Sequence, residues 1–290
     1  MFRHVEILRS LGFDASVFSP KGRPLWMTTD APLFEAGEPY ASADNIVVFP
    51  EPLNGKLGRL ACAEMEATKA LLCQNQYSIF NETFPQHGFE ELRFRRLITV
   101  SEIARGFLER TFAPSKFDVI PVWIDETIFY PRRKSLRIAA APRKLPVQLR
   151  LIQQIFHQKY PDLRDAPWDW IHDRSEAETS EILGGASVFL SMNDRESVGL
   201  TPLEAMASGC FVVGFHGYGG QEYATDANGI WLRPDHLEET ADAVAKVVYA
   251  INANEKWIEE ARTAGFATAR RFHKQAAAEA LREVFGSLVR

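Results

Sequence analysis

Two glutamates, Glu196 and Glu204, bracket the run Ser197-Val198-Gly199-Leu200-Thr201-Pro202-Leu203. Thr201 is a natural N-cap, Pro202 a natural first helical residue and Gly209 a natural terminator. The run therefore predicts a loop opening into a short helix over 201–208. Amides at a helix N-terminus lack intrahelical partners and suit a diphosphate. Carboxylates on either side can accept hydrogen bonds from sugar hydroxyls. A plainer reading exists, because Thr201-x-x-Glu204 is also a capping box in which Glu204 only returns a bond to the backbone. Glu196 tips the balance: it sits on a strand exit, where no helix needs it.

Two further groups could complete such a site. Arg143 and Lys144 directly follow the apolar strand predicted over 138–141. A departing nucleoside diphosphate gains negative charge, which fixed cations and amides stabilise; a solvated turn is the alternative. After the next strand comes His216-Gly217-Tyr218-Gly219-Gly220-Gln221-Glu222. Gly219 and Gly220 would let backbone approach a ligand closely. Glu222 is the sugar-contacting candidate of this loop, with a salt-bridge role as its alternative. His216 reads as structural or solvated before it reads as a rim contact.

These groups need elements to hold them. Short apolar runs at 15–18, 45–50, 69–73 and 97–101 read as strands, with helices over 1–11 and 102–112. Pro and charge accumulate over 119–134, which marks a domain boundary. A second series follows: strands at 136–140, 168–172, 186–191, 211–215 and 229–232, and helices at 147–159, 176–183 and 201–208. Three helices close the chain, over 237–250, 254–272 and 274–288. Strand–helix alternation of this kind is the signature of parallel sheets in α/β domains. The expected organisation is an N-terminal domain at 1–124, a C-terminal domain at 125–273, and a helix at 274–290 returning to the first domain.

The residues carry a family likeness. Glu196 and Glu204 resemble the E-x7-E motif of the retaining glycosyltransferases of family 4. The similarity runs on through "ESVGLTPLEAMASGCFVVGFHGYGGQEYATDANGIWL". Phe117-Asp118-Val119-Ile120-Pro121 resembles that family's interdomain segment, and the likeness covers most of 97–275. It implies the GT-B fold: two Rossmann-like doubly wound α/β domains facing a cleft. It also implies transfer of a hexosyl group, with retention, from a nucleoside-diphosphate sugar to a saccharide or lipid-linked acceptor. Attack would come on the face of departure, with a diphosphate oxygen assisting the acceptor's proton. By the same resemblance Glu196 lies by the donor sugar and orients it, and Glu204 binds the ribose hydroxyls. The amides of Val198, Gly199, Leu200 and Thr201 meet the diphosphate and sugar, while Arg143 and Lys144 neutralise the diphosphate. Bacterial cell-surface polysaccharide synthesis is the setting the family suggests.

The N-terminal part resembles the family far less. Domains of this type open on a strand and a glycine-rich turn, whereas this chain opens inside a helix. A shortened N-terminal domain, or a different start of the chain, is the expectation. Pro50-Glu51-Pro52 and Gln74-Asn75-Gln76-Tyr77 sit at strand exits, able either to hold sugar hydroxyls or to cap their own loops. His87 and His4 are the candidates for a histidine near the sugar.

Bulk properties exclude several classes. The 290 residues are 46% hydrophobic and 24% charged, with net charge −5. No general basic field exists for nucleic acid. The clusters Arg93-Arg95-Arg96 and Arg132-Arg133-Lys134 read as solvated faces. Three scattered cysteines, Cys62, Cys73 and Cys210, offer no metal spacing and suit a reducing cytoplasm. No apolar run reaches the ~20 residues of a membrane helix, and no signal-peptide core is present. A cytoplasmic protein is expected, with peripheral contact at the inner membrane face left open. No Asp-x-Asp occurs, so no metal and no cofactor beyond the donor are expected. The alternatives are a non-catalytic nucleotide-sugar-binding protein and, from another class, a sugar-nucleotide epimerase or a phosphorylase.

Overall fold

The alternation of apolar strands with half-polar helices resolves into parallel sheets in two compact units, Met1–Val122 with Gln275–Arg290, and Trp123–Lys274. The computed structural model describes residues 1–19, 21–35, 37, 42–80, 89 and 91–288.

The first unit opens on α1 (Phe2–Ser10), which buries Val5, Ile7 and Leu8. A small parallel pair follows, β1 (Val17–Phe18) and β2 (Leu33–Phe34). Its main sheet contains β3 (Ile46–Pro50), β4 (Thr68–Cys73), β5 (Arg96–Thr99) and β6 (Asp118–Val119), all parallel and in chain order. Helix α2 (Gly55–Cys62) joins β3 to β4, and α3 (Glu102–Thr111) joins β5 to β6. Ser101 caps α3, its hydroxyl accepting from the Ala104 amide at 3.1 Å. Sequence periodicity does not predict α2, whose eight residues include two glycines. Packing holds it, with Ala61 buried and Leu57 and Leu60 against Phe49, Leu71 and Leu108.

The second unit contains β7 (Ser135–Ala140), α4 (Pro146–Lys159), β8 (Trp168–Trp170), α5 (Glu176–Gly185), β9 (Ala186–Asn193), α6 (Leu200–Ala207), β10 (Phe211–His216), β11 (Gly229–Trp231), α7 (Leu237–Asn252) and α8 (Lys256–Ala269). Its five strands are parallel in the order β8-β7-β9-β10-β11. The central strand β9 is buried from Ala186 to Met192, as a strand covered on both faces must be. Helices α4 and α7 pack together, as do α6 and α8. The core joins Ile138, Val188, Leu190 and Val213 of the strands to Leu149, Ile152, Phe156, Val244 and Val248 of α4 and α7.

Helix α9 (Lys274–Gly286) follows, burying Ala277, Leu281, Val284 and Phe285. Arg96 of β5 donates to the Ser287 hydroxyl at 2.8 Å. The Arg96 cluster is thus no simple solvated face, and Arg96 also lies 3.6 Å from Asp118. The second basic cluster differs from expectation in the same way. Arg132 donates to the Ser180 carbonyl, and Lys134 to that of Leu183 at 2.8 Å. Lys134 satisfies a carbonyl in the last turn of α5, where the helix dipole also favours positive charge.

Candidate donor site at the sheet edge

Strand order decides where a ligand meets an open α/β sheet: outside the carboxyl ends of the two strands whose connections depart in opposite directions. In the second unit these strands are β7 and β9, since the chain leaves β7 for β8 on one side and later builds β9, β10 and β11 on the other. The exit of β7 carries Arg143 and Lys144. The exit of β9 carries Glu196.

The side chains converge there. One carboxylate oxygen of Glu196, Oε1, lies 3.2 Å from Arg143 Nη2 and 3.3 Å from Lys144 Nζ. The Glu196 side chain is 19% exposed, Lys144 38% and Arg143 80%. The two cations share an anion from the neighbouring strand exit, while Arg143 stays largely exposed.

Helix α6 begins two residues before the position where a threonine N-cap would start it. Gly199, with φ +79°, is the N-cap residue, and it makes no side-chain cap bond. A Cβ at Gly199 would overlap the Asn193 side-chain amide. Thr201 and Pro202 consequently lie inside the first turn, and the Thr201–Glu204 capping box does not form. Glu204 is therefore not engaged in a capping box. The amides of Leu200 and Thr201 lie in the orphan first turn, while Pro202 has none to offer. Val198 is buried and Leu200 is exposed.

Glu204 is partly buried on α6. Loss of water around it, and secondarily the Glu176 carboxylate, push its pKa up to about 8. Glu176 stands in the first turn of α5. A hydroxyl-bearing ligand that donated to Glu204 would relieve this cost.

The glycine loop packs on the Glu196 loop. Gly219 donates its amide to the Glu196 carbonyl at 2.9 Å, and a Cβ on Gly219 would overlap the Ser197 carbonyl oxygen. Gly219 and Gly220 are buried; the missing side chain of Gly219 lets two backbone segments touch, and that of Gly220 leaves room for the His216 and Tyr223 side chains. Glu222 is partly buried in the same short 3-10 turn. His216 donates from Nδ1 to the Gly217 carbonyl and packs its ring against Trp231, which is the structural role expected of it.

Sequence reasoning missed the residues that brace this loop. Buried Tyr223 donates from its hydroxyl to the Gly199 carbonyl at 3.1 Å, fixing the start of α6. Asn228 donates to the Tyr223 carbonyl at 2.6 Å and to Thr268 of α8 at 3.1 Å. The Tyr223–Gly199 and Asn228–Thr268 contacts have no local signal, since those partners lie 24 and 40 residues apart. Cys210 is buried with its thiol toward the Leu183 and Ala186 carbonyls.

In the first unit the two polar strand exits are tied to each other. Glu51 accepts from the amides of Gln74 at 2.6 Å and Asn75 at 2.8 Å. Burial pushes its pKa up to about 7. This is the loop-capping alternative. His4 is held neutral by burial, which lowers its pKa to about 3. His87 lies outside the described residues. Among the described residues, no group of three or more metal-ligating side chains could hold an ion, and no helix is long and apolar enough to cross a membrane.

Comparison with known proteins agrees with this architecture. Residues 168–264 match the family model for glycosyl transferases group 1. The chain is 27% identical over 258 residues to an alpha-1,6-glucosyltransferase of Actinobacillus pleuropneumoniae serotype 7, covering 84% of this chain and 77% of that one. A glycosyltransferase from Rickettsia africae superposes with a TM-score of 0.72 at 13% identity, over 99% of this chain and 93% of its own. The pneumococcal O-GlcNAc transferase GtfA in complex with UDP and GlcNAc gives 0.62 at 18% identity, over 86% of this chain. This chain spans 57% of that protein, so whole-protein activities do not carry over by length. The fold is that of the GT-B glycosyltransferases.

Proposed function

We propose that this chain, with its glycosyl transferases group 1 domain at residues 168–264, is a retaining glycosyltransferase that uses a nucleoside-diphosphate sugar without a metal ion or further cofactor. The observation that carries the reading is the meeting of Arg143, Lys144 and Glu196 at the strand switch point, beside the N-terminus of α6. Cations and amides there match a diphosphate. Glu204 suits the ribose hydroxyls, and Glu196 the donor sugar. Uridine is the first base to test, given the nucleotide bound by the pneumococcal neighbour. The acceptor is a saccharide or a lipid-linked glycan, reached at the cytoplasmic face of the membrane.

Chemistry follows from charge. Departure of the diphosphate leaves negative charge on its oxygens, which Arg143, Lys144 and the α6 amides stabilise without a divalent cation. Glu196 orients the sugar, and no covalent sugar–enzyme intermediate forms.

Incubation with a panel of uridine-diphosphate sugars and an acceptor glycan, in EDTA, tests the proposal. Transfer in EDTA is expected, with the anomeric configuration kept by proton NMR. Glu204→Ala should weaken nucleotide binding at least tenfold by calorimetry. Unchanged affinity in that variant would remove Glu204 from the site. Tight nucleotide binding with no transfer or hydrolysis would mark a binding protein instead.

A further inference from the structure

The two cations assigned to the diphosphate hold an anion of the protein's own. Arg143 Nη2 and Lys144 Nζ both approach Glu196 Oε1, at 3.2 and 3.3 Å. The backbone of Glu196 cannot follow its side chain, because the Gly219 amide donates to its carbonyl at 2.9 Å and the Ser197 carbonyl is pressed against Gly219. The carboxylate can nevertheless leave the cations by rotation about side-chain bonds alone. Exposure of the Arg143 and Lys144 partners keeps the pairs weak enough to exchange.

We infer that Glu196 is the resident counter-anion of the diphosphate subsite and sets the preference for sugar-bearing donor over spent nucleoside diphosphate. The inference rests on the proposed donor site. A bare nucleoside diphosphate must displace the carboxylate and offers it nothing in return. A nucleoside-diphosphate sugar displaces it as well, yet supplies hydroxyls that donate to the freed carboxylate. Glu196 therefore penalises the product more than the substrate, which speeds product release after transfer.

The test compares the full chain with its Glu196→Gln and Glu196→Asp variants, all checked for folding by thermal midpoint. Uridine diphosphate and a uridine-diphosphate sugar that binds the parent chain are titrated by calorimetry. Both variants are expected to bind uridine diphosphate about three- to tenfold more tightly than the parent, as loss of two exposed ion pairs predicts. Affinity for the sugar nucleotide should rise less or fall, so the ratio of the two Kd values shifts; a purely structural residue would move both together. In the Lys144→Met background the gain from Glu196→Gln should shrink. The inference is overturned if the parent binds uridine diphosphate and both Glu196 variants bind it equally or more weakly. If neither parent nor variants bind any nucleoside diphosphate, the donor site itself is wrong and the inference falls with it.

Discussion

Glu204 shows how burial sets the charge of a single carboxyl. Its pKa stands near 8 against 4.5 in the unfolded chain. Between those values the folded protein keeps a proton that the unfolded chain has released, so its contribution to stability declines as pH rises through that window. Glu204→Gln should remove the slope. The variant is expected to match the parent near pH 5 and to exceed it at pH 8.5 by on the order of 1 kcal/mol, after discount for partial exposure. Urea midpoints at the two pH values measure this. Ribose hydroxyls prefer the ionised carboxylate, so nucleotide affinity should rise with pH from about 6 to 8 in the parent only. An affinity that is flat across that range would separate Glu204 from the ligand.

At the scale of elements, the site consists of two loops and a helix start locked to each other by missing side chains. Gly219→Ala would drive a methyl group into the Ser197 carbonyl oxygen. Backbone must move to accept it, so a loss of roughly 2 kcal/mol or more is expected, together with weakened nucleotide binding. Gly185→Ala is the matched control. It ends α5 with open space around a Cβ, and should be neutral or stabilising by up to about 0.5 kcal/mol. Thermal midpoints of the two variants discriminate; equal effects would contradict the tight packing of the loops. These same loops mark what a sequence can and cannot reveal. The strands over 136–140, 186–191 and 211–215 were legible because buried parallel strands are continuous apolar runs. Glu196 stood out because a carboxylate on a strand exit has no local purpose. The start of α6 is not legible, since N-cap preference weighs the Thr201 hydroxyl but not the closeness of Asn193 to Gly199. Strand order, which brings Arg143 beside Glu196, is a tertiary property with no trace in either segment. Tyr223 was invisible for the same reason: its partner lies 24 residues away.

At the scale of the molecule, the first unit is assembled from both ends of the chain and the second from its middle. The chain passes between them twice, after Val122 and after Lys274. Removal of residues 275–290 strips α9 and the Ser287 partner of Arg96 from the first unit. Such a truncation should lower the first unit's protection from hydrogen exchange, notably at β5, and leave amides of β7, β9 and β10 as protected as before. Nucleotide binding should survive, because the donor-site residues all lie within Trp123–Lys274. Exchange measured by mass spectrometry would reveal a contrary result as loss of protection in both units alike.

The interrupted first unit also sets an order of events on the ribosome. Synthesis is vectorial, and domains tend to fold as units while it proceeds. Here Trp123–Lys274 has all its strands and helices in hand while Met1–Val122 still awaits residues 275–290 of its own unit. The unit Trp123–Lys274 can therefore mature first, and the unit begun before it must wait for α9 to emerge.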